Sequence, residues 1–260
     1  MNTFEVDALF AQTLLGDYEG EPAWEAVSKL RLDGSREIFE RSAAWCLSDN
    51  PLKKARAADI LCQLRRAPLQ DATPWNPEWL FRDESYTLIT TMLESEQYPL
   101  VLASAICALG HLDNESAIPL ILRHQNHPDR DVRLAVSVAL GSFPNDPQSI
   151  GGLLTLTSDP DAEVRDWAVF GLGVQGDVDS PKIREALFRC LNDANVDVRE
   201  EALVGLAKRH DQRVLPILRA LLGEPLTKVR VTEAAAAFLG LDNKPPDWNA
   251  ADYEAALSPY

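Results

Sequence analysis

The sequence predicts an all-α protein: an α-solenoid, wound as a right-handed superhelix from about six two-helix units and closed by helical caps. Three observations carry this expectation. The first is self-similarity. The stretch from Asp159 through Val164-Arg165 to Gly173 recurs as Asp131-Val132-Arg133 to Gly141 before it, and as Asp197-Val198-Arg199 to Ala207 and Val229-Arg230 to Gly240 after it. The closing positions Gly110, Gly141, Gly173, Ala207 and Gly240 stand 31, 32, 34 and 33 residues apart, and a period of that length marks stacked helix pairs. The second is the apolar pattern. With Arg165 as position zero, Val164, Ala168 and Leu172 fall at −1, +3 and +7, which is one face of a helix. The third is punctuation. Asp159, Asp193 and Glu224 each precede an arginine by six residues, in the turn where a carboxylate satisfies free N–H groups. Pro128, Pro160 and Pro225 stand at the opening of the same turns, where a helix tolerates proline.

Residues 1–34 read as capping helices, over 3–15 and 22–32, separated by the acidic, glycine-bearing turn 16–21. A solenoid end must cover its apolar face, which gives these helices their role. The first repeat spans 35–66, with outer helix 36–47 and inner helix 52–64. Residues 67–80 interrupt the period with three prolines and the pair Trp75 and Trp79, so they read as a loop whose tryptophans form a candidate anchor. Later units fall at 82–110, 114–142, 146–174, 180–208 and 211–240. The last holds two extra residues between Arg230 and Gly240, so either Arg230 or Thr232 fills its arginine slot. Small residues at Ala139, Gly171 and Gly205 admit a close neighbour, and Gly141 and Gly173 read as left-handed helix ends. The repeats thus run over 35–241, and 242–260 forms a tail or cap with Trp248 buried.

The acid-Pro…Val-Arg…Ala…Leu-Gly pattern resembles the HEAT-like repeats first described in phycobilisome lyases. The resemblance covers about residues 35–240 and implies a ladder of bonds between adjacent repeats. It assigns that ladder to Asp159 with Arg165, Asp193 with Arg199, and Glu224 with Arg230; His127 departs from the pattern ahead of Arg133. It also implies a second functional class, a bilin lyase-like enzyme or chaperone subunit.

Composition narrows the classes further. Twenty-five basic against 40 acidic residues leave a net charge of −15, a field that repels phosphate backbones and places nucleic-acid binding low. Cys46, Cys62, Cys107 and Cys190 are widely spaced and read as core thiols of a reducing compartment. No sustained apolar run or leader pattern appears, so a cytoplasmic protein is expected. His124 and His127 are spaced to share a metal, but no local carboxylate or thiol completes a set. Gly171-Leu172-Gly173-Val174-Gln175-Gly176 spells a dinucleotide motif but follows a helix, so it belongs to the repeat. The sequence therefore yields no catalytic residue, no metal site and no cofactor.

What remains is a surface. The inner helices should line the concave side of the stack, with positions +1, +2 and +5 facing outward from the core. Those positions hold Leu134, Val138, Asp166, Trp167, Phe170, Glu200, Glu201 and Val204, a partly apolar stripe edged with carboxylates. An ordinary solvent face would be mostly charged. The expected function is a non-enzymatic scaffold that holds a protein or peptide partner on this face, as a monomer or bound to that partner. Trp167 and Phe170 are its anchors, because aromatic side chains dominate contact energies.

Overall fold

A computed structural model describes residues 1–65, 79–224, 229–241 and 248–260. Fifteen α-helices are found among them, and the one β pairing there is an isolated antiparallel bridge between Arg65 and Trp79. The chain divides into two compact units, 1–139 and 140–260.

In the first unit, α1 (Thr3–Gln12) packs against α2 (Glu21–Asp33). Next come α3 (Arg36–Cys46) with α4 (Pro51–Leu61), and α5 (Arg82–Ser95) with α6 (Pro99–His111). A 3-10 turn, Glu115–Ala117, leads into α7 (Ile118–Leu122), and α8 (Arg130–Gly141) begins in this unit. The inner layer is α2 on α4 on α6, and the outer layer sets α3 against α5. In the second unit, α9 (Pro147–Leu156) packs on α10 (Ala162–Phe170), which runs on into a π-helical turn, Gly171–Gln175. It is followed by α11 (Pro181–Cys190) with α12 (Val196–Lys208), and α13 (Leu215–Leu222) with α14 (Val229–Phe238). Here α10, α12 and α14 stack as the inner layer, and α15 (Ala250–Leu257) covers α13 and α14 with Tyr253 and Leu257 buried. Trp248 lies half-buried, edge-on to Tyr253 at 5.0 Å.

The repeat's apolar face is the core. Val164, Ala168 and Leu172 on one inner helix and Val198, Ala202 and Leu206 on the next are at most 1% exposed. Each Val or Leu so buried contributes about 1.5–3 kcal/mol. Helix starts lie two residues later than the sequence reading placed them. Asp161 accepts from the N–H of Glu163 and Val164 (3.0 and 3.3 Å), and Asn195 from Asp197 and Val198 (2.7 and 3.1 Å). Asp159 and Asp193 instead accept from the N–H of Asp161 and Asn195, both at 2.9 Å, which tightens the turn before the helix. Pro160 lies in that turn; prolines at true helix starts include Pro51, Pro99, Pro147 and Pro181, all on other helices. Pro225 lies outside the described residues.

Gly141 and Gly173 do not take the left-handed conformation; Gly240 does, with φ +68°. Gly173 is required for another reason. A Cβ on the facing Gly205 would lie 2.6 Å from the Gly173 Cα, so α12 and the end of α10 touch backbone to backbone. The carbonyls left free at that helix end converge on one buried side chain. The Arg209 guanidinium donates to the carbonyls of Leu172, Gly173, Gly176 and Val178 at 2.7–3.0 Å, and also to Gly205 at 2.9 Å. A cation at a helix C-terminus meets both the unsatisfied acceptors and the negative end of the dipole.

Candidate functional site

The repeat arginines anchor the turns that present the inner helices. Arg165 Nη1 donates to the carbonyls of Asp159 and Pro160 (2.9 and 3.2 Å), Arg199 Nη1 to those of Asp193 and Ala194 (2.7 and 2.9 Å), and Arg133 Nη1 to those of His127 and Pro128 (3.0 and 3.1 Å). The arginine therefore reads main-chain oxygens six and five residues back. This is why His127 can replace the acid without loss of the turn. The rung between repeats is Arg165 with Asp193, a two-pronged pair at 2.7 and 2.8 Å, and it holds the Asp193 carboxyl below the usual carboxylate range.

Arg230 departs from the expected ladder. In α14 Val231 and Ala235 are buried, whereas Val229 is 75% exposed, so the −1 and +3 core positions fit Thr232 in the arginine slot. The two extra residues shift the helix by that amount. Arg230 is turned toward α12, where it pairs with Glu201, and it also meets Glu233 of its own helix at 2.8 Å.

The predicted face separates into distinct environments. On α8, Leu134 and Val138 are half-buried. On α10, Trp167 is 37% exposed and meets the half-buried Phe170 edge-on at 5.8 Å, with Asp166 half-buried beside it. On α12, Glu200 is half-buried, Glu201 is 8% exposed and Val204 only 1%. Val204 is thus no surface contact, because the stacked inner helices close over it. It forms part of the wall of a cavity of about 590 Å³ between α12 and α14, together with Lys208, Val229, Glu233, Ala236 and Ala237. Lys208, Val229 and Glu233 escaped the sequence reading; the Thr232 register left open there is the signal that brings Arg230 and Glu233 against α12. In the loop, Trp79 is half-buried and main-chain paired with Arg65, while Trp75 and the rest of 66–78 lie outside the described residues.

Electrostatically the α10–α12 face is strained. Burial raises Asp166 to about 6; Asp197 and Glu163 add to the rise and Arg230 opposes it. Burial likewise raises Glu201 to about 7, with Asp166 and Glu233 adding and Arg230 opposing. Asp166 Oδ1 and Glu201 Oε2 are both sealed from solvent without a hydrogen-bond partner.

The inner face of the first unit is arranged otherwise. There Tyr18, from the turn between α1 and α2, lies across α4 and α6. Its hydroxyl donates to Asp59 Oδ2 at 2.5 Å and meets Ser104 Oγ at 2.6 Å, and the fully buried Arg56 stands 3.8 Å over its ring. The chain itself fills that stretch.

His124 and His127 stand 6.4 Å apart, and His127 Nδ1 accepts from the Asp129 N–H at 3.1 Å. Among the described residues no three His, Cys, Asp or Glu side chains are placed to hold a metal, and no helix is long and apolar enough to cross a membrane.

Comparison with known proteins agrees with this geometry. The family model for HEAT repeats matches residues 87–169 and 150–238. Protein YibA of Escherichia coli strain K12 is 27% identical over 218 residues, covering 82% of this chain and 72% of that protein. The X-ray structure of YibA superposes with a TM-score of 0.71 at 23% identity, over 99% of this chain and 92% of that one. A structure of Kap95p binding to RanGDP matches 99% of this chain and 40% of its own at a TM-score of 0.57 and 12% identity, a likeness of fold alone. The phycocyanin lyase complex of CpcE and CpcF from a Nostoc species reaches a TM-score of only 0.43 at 17% identity, over 85% of this chain and 94% of that one, too distant to bear on activity.

Proposed function

Because the chain belongs to the HEAT-repeat family, we propose that it is a non-enzymatic scaffold holding a protein or peptide partner on the inner helices of its second unit. One observation carries the reading: an aromatic pair, the exposed Trp167 with the half-buried Phe170, belongs to the same inner-helix layer as the cavity between α12 and α14. An amphipathic anchor together with a concave apolar recess is the common form of a contact hot spot. The first unit supports the choice by contrast, since Tyr18 occupies the corresponding stretch there.

The test is site-specific photocrosslinking. A photoreactive phenylalanine placed at position 167 or 233 is expected to capture one and the same partner from the protein's own cells. The same group at Thr155, exposed on α9, is expected to capture none. Trp167→Ala combined with Phe170→Ala should weaken binding of that partner by about tenfold or more, as loss of a hot spot does. Equal capture from position 155, or unchanged binding by the double variant, would remove this face from consideration.

A further inference from the structure

The carboxylates beside Trp167 indicate what the partner presents. Glu201 is more than nine-tenths buried, yet its Oε2 has no donor, and Asp166 Oδ1 on the neighbouring helix is in the same condition. A buried acceptor without a donor carries a desolvation cost that nothing on these helices offsets. The residues facing the pair are Glu163 on α10, Asp197 on α12, and Arg230 and Glu233 on α14. Among the described residues that act on the pair, Arg230 is the cation, and Glu163, Asp197 and Glu233 are carboxylates. Arg230 reaches Glu201 Oε1 and Glu233, which leaves the two orphaned oxygens unserved.

The first unit shows how the fold satisfies such a position. There a donor from outside the inner layer, the Tyr18 hydroxyl, is delivered onto the Asp59 carboxylate, with a cation stacked on the aromatic ring. We propose that Asp166 and Glu201, with Trp167 alongside, receive the guanidinium or ammonium of a basic side chain carried by the protein partner. This deepens the reading given above and rests on it. A cation supplies the missing donors and a charge opposite to that of the two carboxylates, and Asp166 is next in sequence to the exposed Trp167. A neutral donor would satisfy the oxygens but leave the charge.

The probe is a fluorescein-labelled peptide alternating arginine with alanine, compared with the same peptide carrying citrulline, which keeps the shape but not the charge. A third peptide alternates leucine with alanine. The arginine peptide is expected to bind at least about tenfold tighter than the citrulline one, and Asp166→Asn and Glu201→Gln are each expected to remove most of that advantage. Lowering the pH from about 8 to about 5.5 should weaken the arginine peptide in parallel, as the pair takes up protons. Circular dichroism melts establish that each variant is folded, and Asp166→Asn alone suffices if Glu201→Gln is not. Equal binding of citrulline and arginine peptides, or an advantage untouched by Asp166→Asn, overturns the charge recognition and leaves the groove standing. Failure of all three peptides, the apolar one included, overturns the groove reading itself.

Discussion

At the scale of single residues, the repeat period places Asp166 and Glu201 on the inner face, but it gives no sign that Asp166 helps to raise Glu201. That coupling arises from packing between helices 35 residues apart in sequence, and only coordinates reveal it. It has a consequence for stability. An acid whose folded pKa lies above its unfolded value, about 3.9 for Asp and 4.3 for Glu, binds more protons folded than unfolded at intermediate pH. Its contribution is fully present below about pH 4 and is lost as the pH rises through the folded values of about 6 for Asp166 and about 7 for Glu201. Asp193 acts in the opposite sense, because Arg165 lowers its pKa; its contribution is lost only as the pH falls below the ordinary carboxylate range. The pair's share of the urea midpoint should therefore decline between about pH 4.5 and pH 8. His111 and His124, whose pKa values desolvation lowers, act the other way, so the Asp166→Asn, Glu201→Gln double variant should gain stability relative to the parent as the pH rises through that window. A stability difference between variant and parent that stays constant with pH would show that the pair is not strained.

At the scale of helices, the order and pairing of elements were legible because apolar spacing and period are local properties of the chain. The details that escaped are those decided by neighbouring helices. Asp159 does accept an N–H in the turn, but it is Asp161 that caps the helix, because both are acids in one turn and only the backbone geometry separates them. The α14 register stayed open between Arg230 and Thr232 because its alanine-rich sequence offers almost the same face twice; burial against α12 selects Thr232. The sequence marks Gly205 as a small residue that admits a close neighbour but gives Gly173 only as a helix end, and the backbone contact between the two gives a sharper prediction. Gly205→Ala gains about 1 kcal/mol of helix propensity but thrusts its Cβ to 2.6 Å from a main-chain atom, an overlap costing about 1–3 kcal/mol that no side chain can relieve by rotating. Net destabilisation is expected in urea melts. Gly151→Ala, at an exposed position of α9, meets nothing within 4 Å and should stabilise by about 0.5–1 kcal/mol. The opposite signs test the close approach directly; a Gly205→Ala protein as stable as the parent would mean that the helices stand farther apart.

At the scale of the whole chain, a stack of helix pairs has no single centre, and each pair draws its stability from its neighbours. Long-range contacts that break the repeat are accordingly the hardest to foresee. Tyr18 reaches Asp59 and Ser104 across 41 and 86 residues, and no period connects them. Arg209 is another such case: it follows the closing slot of its own repeat yet serves the carbonyls that end the previous one. Replacing it with methionine keeps much of the volume but strands several buried carbonyls, each a group whose desolvation is otherwise met by a hydrogen bond. The expected loss is on the order of 3 kcal/mol, comparable to breaking a buried charged network. In a single cooperative core that loss would lower amide protection everywhere at once. In a stack governed by neighbours it should fall mainly on α10, α12 and α14, while α4 and α6 keep their protection against hydrogen exchange. Exchange measured helix by helix on Arg209→Met therefore tells the two apart: a uniform drop across all inner helices would mean that the chain folds as one indivisible core, whereas a drop confined to the second unit is what nearest-neighbour stacking requires.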